Sequence, residues 1–196
     1  MDLIRHPSKK PPPELETHLL LRWGSPELYC YDRLLEQSAA PYEAITSPED
    51  FHLTVCRLEN CRPEVIFDLD YRAGVARLYR TCFRTSLWEE LFDAGQARRV
   101  LQPVPAKRVS AEIPADHPLV RLVRNDHLFR MKYVPSGLDG NSVTLAFTHA
   151  KGCRQLSYWE GCRNDEEPET GWRPLLDALH ESDHLLPYRE PFPGYY

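Results

Sequence analysis

The chain lacks any run approaching the ~20 apolar residues that a bilayer-spanning helix needs. It also has no Gly-rich phosphate-binding string, and only nine glycines in 196 residues. The backbone cradle of consecutive amides that holds nucleotide phosphates is therefore not expected. No Gly-x-Ser-x-Gly elbow occurs, which sets aside α/β-hydrolase chemistry. Positive charge is in deficit, with 24 Lys and Arg against 29 Asp and Glu and a net charge of −5. A general nucleic-acid binder draws its affinity from neutralising phosphates, so that class is disfavoured. The Arg98-Arg99 and Lys107-Arg108 pairs read as solvated surface. The first ten residues lack the apolar core of a signal peptide. The expectation is a cytoplasmic protein whose six cysteines stay reduced.

Proline, by contrast, is abundant, with 18 residues, which implies many fixed bends and short elements. The length suits one domain, and such a chain buries enough apolar surface to need no disulfide or metal for stability. The stretch Phe51–Cys82 organises the rest. Within Glu64–Asp70, Val65, Phe67 and Leu69 alternate with Ile66, Asp68 and Asp70, the period of a strand with one buried face. Tyr71-Arg72-Ala73-Gly74 is a short connection whose glycine supplies a positive φ. Val75–Thr81 alternates again, so the pair reads as an antiparallel hairpin.

Around it the chain divides into four pieces. Residues 1–14, ending in Lys9-Lys10-Pro11-Pro12-Pro13, read as an extended arm. Residues 15–50 read as a β-α unit, with a strand at Thr17–Trp23 and a helix opened by Ser25, Pro26 and Glu27. Ser47–Asp50 looks like a single helical turn. Residues 51–182 form the main domain. There Ser86-Leu87-Trp88-Glu89 matches a capping box, Asp116 and Pro118 open a short helix, and Thr170 caps a helix with a core face of Trp172, Leu175, Leu176 and Leu179. Leu128–Val134, Asn141–Thr148 and Arg154–Trp159 read as strands, the last two joined by the turn His149–Gly152. Residues 183–196 form a tail rich in proline and aromatics. Hairpins and helices in blocks predict an α+β fold, an antiparallel sheet of hairpins packed against about two to four helices.

Several strings carry chemistry. Phe51-His52-Leu53-Thr54-Val55 resembles the His-x-Thr motif of the two-histidine phosphoesterases, in which strand histidines act as general acid and base. That resemblance implies catalytic roles for His52 and Thr54. It also requires a second such motif on a facing strand, and the matching string is His180-Glu181-Ser182, at the end of a predicted helix. Asp68-x-Asp70 places carboxylates on one strand face, where they could hold magnesium; the blander reading is a solvated face. Cys56, Cys61, Cys153 and Cys162 could in principle make a zinc site, but eight residues separate the second pair, too many for the usual spacing. A bridge between Cys56 and Cys61 would need an oxidising compartment. His180 and His184 have the spacing of helix-borne ligands and read as surface residues at a helix C-terminus. No cofactor or metal is expected.

The pieces Cys56…Cys61-Arg62-Pro63, Val65–Asp70, Gly74–Tyr79, Ser86–Ala94, Asp139-Gly140-Asn141, Val143–Phe147, Leu156–Tyr158 and Leu175–Leu179 follow one pattern over about residues 51–182. The pattern resembles a bacterial family of small α+β domains of unknown function, which implies a fold and carries no catalytic residues. A small acidic chain without a catalytic set then points to a protein-binding module of the immunity or toxin-neutralising type. Such a module occludes a basic site with exposed carboxylates and aromatics, here Glu166, Glu167 and Glu169 with Trp159 and Trp172. The alternatives are the phosphoesterase using His52 and Thr54, and a structural or adaptor subunit docking through its termini. The expected partner is another protein, not nucleic acid or membrane.

Overall fold

The computed structural model describes residues 45, 47–58, 62–87, 106–132, 141–159 and 171–187. The arm, the β-α unit up to residue 44, the helix expected beyond Leu87 and the tail from residue 188 lie outside them. Six antiparallel strands form one sheet. They are β1 (Phe51–Leu58), β2 (Val65–Arg72), β3 (Val75–Phe83), β4 (Ala106–Ile113), β5 (Ser142–His149) and β6 (Gly152–Trp159). The order across the sheet is β4-β3-β2-β1-β5-β6. The first four strands run as a meander in chain order, and the chain then returns to lay β5 and β6 along the free side of β1.

The fold is therefore α+β, with α1 (Pro118–Arg124), α2 (His127–Arg130) and α3 (Trp172–Asp183) among the described residues. Register assigns each side chain to a face, because successive residues of a strand alternate. Leu53 lies opposite Leu69 on one side and Phe147 on the other, and Leu69 lies opposite Leu78. This row belongs to the core, together with Val55, Val143, Leu145 and Leu156. Leu119, Val120 and Val123 of α1 and Trp172, Leu175, Ala178 and Leu179 of α3 close the same core. All three helices thus serve one face. None is long and apolar enough to cross a membrane.

Local chemistry explains the element ends. The β2–β3 turn places Ala73 at φ 47 and Gly74 at φ 85, the left-handed pair that matches the twist of a two-residue hairpin. The Asp50 carboxylate accepts the Ala73 amide at 3.1 Å and secures that turn. His117, not Asp116, caps α1, its Nδ1 accepting the Leu119 amide at 3.2 Å. Gly171, at φ 80, precedes α3 in place of the expected Thr170 cap. Glu89, expected in a capping box with Ser86, lies outside the described residues, and Glu64 reaches the same segment. Fully buried, it accepts the Leu87 amide at 2.7 Å and the Ser86 hydroxyl at 3.4 Å.

The structure departs from the sequence expectations at two places. Sequence alone predicts a strand over Leu128–Val134, yet His127–Arg130 is a helical turn. The Arg154 guanidinium on β6 holds its end by donating to the carbonyls of Leu128, Phe129 and Met131, a long-range tie that the local sequence does not reveal. The Asp68-x-Asp70 face was read as solvated. Asp68 is fully buried and accepts the Thr54 hydroxyl at 2.6 Å.

Candidate functional site

The second face of the sheet brings together the histidine and the carboxylates singled out in the sequence. His52 and Thr54 are two apart on β1 and share the face with Asp70 and Asp68, their cross-strand partners on β2. The His52 Nδ1 lies 3.3 Å from Asp70 Oδ1, and its Nε2 lies 3.1 Å from the Thr54 hydroxyl oxygen. Thr54 in turn donates to Asp68 Oδ1 at 2.6 Å. Asp68 Oδ1 is also 3.6 Å from His52 Nε2. Arg72 Nε donates to Asp70 Oδ1 at 3.1 Å, and its guanidinium lies 3.9 Å from Asp50.

The register extends this chain into a row of alternating charge. His52 faces Asp70, Asp70 faces Arg77, and Arg77 faces Glu112 across three strand boundaries. Arg77 donates to Glu112 at 2.7 Å, but both side chains are well exposed, so the outer end of the row contributes little. The inner end is different. Only 2% of His52 is exposed, and none of Asp68.

Burial alone would lower the His52 pKa, since a desolvated imidazolium is costly. The hydrogen bonds and negative charges of Asp68 and Asp70 outweigh it and hold the pKa above the ordinary 6.5. Burial likewise works to raise Asp70, yet the His52 hydrogen bond and the Arg72 charge leave its carboxyl below the ordinary 3.8. A charged ring with an acceptor at each nitrogen satisfies this geometry, because only the imidazolium donates from both. Each proton has its own acceptor: Nδ1–H points toward Asp70 and Nε2–H toward Thr54, which passes its own proton toward Asp68.

A catalytic histidine must reach the proton it moves in a bound substrate, whereas this one is spent on its neighbours and lies below the surface. The second histidine that the phosphoesterase resemblance requires is not brought to it among the described residues. His149 lies opposite Phe51, on the helix-bearing face, with its ring against Phe147 and Phe129. His180 and His184 sit at the end of α3, 5.2 Å apart between ring centroids and exposed, across the sheet from His52. His127 Nε2 is 2.7 Å from the Gly171 carbonyl.

The other candidates separate. Trp172 is completely buried in the core, stacked on Tyr158 at 5.3 Å, with its Nε1–H donated to the Lys132 carbonyl at 2.8 Å. It is therefore not an exposed partner-binding aromatic. The apolar spacing that marked it as core in the sequence was the right guide, and its assignment to a binding patch is corrected. Trp159 ends β6, and its side chain falls outside the described set, as do Glu166, Glu167 and Glu169. Cys56 is buried on the His52 face and Cys153 is exposed on β6, while Cys61 and Cys162 lie outside the described residues. Among the described residues no group of three or more His, Cys, Asp or Glu is placed to hold a metal. Asp50 and Arg72 were not singled out in the sequence. Their signal was position, since each flanks a hairpin strand at the end where Asp70 lies. No protein-family model matches the chain, and no curated protein matches it significantly.

Proposed function

We propose that this chain is a non-catalytic protein-binding module, of the immunity or toxin-neutralising type, that acts by occluding a partner protein. The observation that carries the reading is the closure of the one catalytic-looking string. His52 and Thr54 are engaged by Asp70 and Asp68, with 2% of His52 exposed, as suits a strut between β1 and β2. The acidic balance of the chain, with its net charge of −5, favours a partner with a basic face. The binding surface assigned to this reading is the acidic stretch Glu166, Glu167 and Glu169, with Trp159 beside it in sequence. Trp172 has no part in it.

The test is capture of the partner by a tagged full-length chain in its native cell, at low and moderate salt. The reading expects one stoichiometric protein, weakened by salt and lost when Glu166, Glu167 and Glu169 are changed together to Lys. A chain recovered alone at both salt concentrations would overturn it.

A further inference from the structure

β4 ends the sheet among the described strands. Among the described residues it pairs on one side only, with β3, and its Ala106, Lys107, Arg108, Ser110 and Glu112 are exposed. The outer backbone of such a strand is a template for another strand, which natural edges blunt with charge. Here the charge is mixed, and its placement selects one pairing.

We propose that β4 is a homodimer interface, in which two copies pair antiparallel over Lys107–Ile113 about a two-fold axis that passes by Ser110. A two-fold joining two identical antiparallel edges stands perpendicular to the sheet, so each face continues as the same face in the second copy. The axis must then pass beside a residue that meets itself. Centring on Arg108 or on Glu112 sets like charges against each other, which is destabilising. Centring on Val109 sets Arg108 against Ser110, and centring on Ala111 sets Glu112 against Ser110; neither register pairs opposite charges. Centring on Ser110 sets Arg108 against Glu112 of the second copy, twice by symmetry, with Val109 against Ala111 and Lys107 against Ile113.

The residue at the axis is small, so its meeting with itself is free of clash. Glu112 already accepts from Arg77 at 2.7 Å and Arg108 donates to Thr81 at 3.0 Å, so the new pair joins two existing rows of polar side chains into one. The Arg108 guanidinium carries five donors and serves more than one acceptor. Pro114, which has no amide to donate, ends the pairing. The product is a continuous sheet with the helices of both copies on one side. A single strand pair buries less than a standard interface, so the dimer forms in a concentration-dependent equilibrium.

Sedimentation velocity on the full chain, from low to high micromolar, tests the register. The wild type is expected to shift to dimer as concentration rises. Ser110→Asp and Ser110→Lys, each alone, meet their own charge at the axis and are expected to stay monomeric. An equimolar mixture of the two is expected to regain the dimer, at least about tenfold tighter than either alone. Arg108→Glu, which faces Glu112 with a like charge, is expected to be monomeric with an unchanged circular dichroism spectrum. A wild type that stays monomeric at every concentration overturns the proposal. So does a dimer indifferent to Ser110→Asp, or a mixture no tighter than its components.

Discussion

The Thr54 hydroxyl donates to Asp68 Oδ1 at 2.6 Å from the strand directly across. It stands between a fully buried carboxyl group and a ring nitrogen of His52, 3.1 Å away on its other side. One hydroxyl therefore connects acid and base within the sheet. Removing it should be felt in stability. Thr54→Val keeps the shape and deletes the donor, and is expected to cost about 1–3 kcal/mol, the loss of a hydrogen bond to a buried carboxyl group. Thr54→Ser should recover most of the loss. Urea denaturation of the three proteins at one pH reads the difference.

His52 sets a pH dependence. Its folded pKa is raised above 6.5, so its contribution is full below that value and fades as pH rises through the folded pKa. Asp70 is lowered below 3.8, so its contribution is full above that value and fades as pH falls through the folded pKa. Both are complete between those ordinary values. His52→Ala should therefore lose about 3 kcal/mol in that window, as when one partner of a buried pair is removed. The gap between wild type and variant should narrow on either side. Denaturation midpoints measured across pH decide it, and a gap that widens above pH 6.5 would reverse the sign.

The core tie of Trp172 is separable into its parts. Trp172→Ala removes a large, fully buried ring and is expected to cost about 3–5 kcal/mol. Trp172→Phe retains a ring to stack on Tyr158 but abandons the Lys132 carbonyl. A loss of about 0.5–1.5 kcal/mol is expected, from the lost hydrogen bond. Thermal denaturation ranks the two, and a Trp172→Ala variant as stable as wild type would place the ring outside the core.

The β2–β3 turn offers a backbone test. Nothing lies within 4 Å of a Cβ added at Gly74, yet its φ is +85. Gly74→Ala is thus expected to cost about 1–2 kcal/mol from conformation alone. Asp50→Ala leaves the Ala73 amide without its side-chain acceptor and should cost about 1 kcal/mol. Hydrogen exchange at Ala73 distinguishes them, because only the Asp50 change removes the acceptor itself.

The two hairpins were legible because their signal is local. The alternation of Val65, Phe67 and Leu69, and of Val143, Leu145 and Phe147, falls on the core face as expected. The helices of residues 118–124 and 172–183 declared themselves by apolar spacing, though their caps differed. β4 was not read as a strand. Val109, Ala111 and Ile113 do alternate with polar residues there, but an edge strand exposes so much of itself that Lys107 and Arg108 dominated the pattern. Residues 127–130 failed for the opposite reason, since their conformation depends on Arg154 from a distant strand. The site was half legible. His52, Thr54, Asp68 and Asp70 stood out by type and spacing, whereas the burial of His52 and Asp68 is a property of the assembled second face. Spacing marks which residues share a face and is blind to what lies over it.

The claim on which the functional reading turns is that His52 is an internal strut, closed to substrate. Nitrogen-15 NMR of histidine-labelled full-length protein, with and without a cyclic phosphodiester, tests it most directly. The account predicts a His52 ring protonated at both nitrogens below pH 6.5, with slowly exchanging N–H protons and shifts unmoved by the ligand. A singly protonated, fast-exchanging ring whose shifts move saturably with the phosphodiester would contradict it.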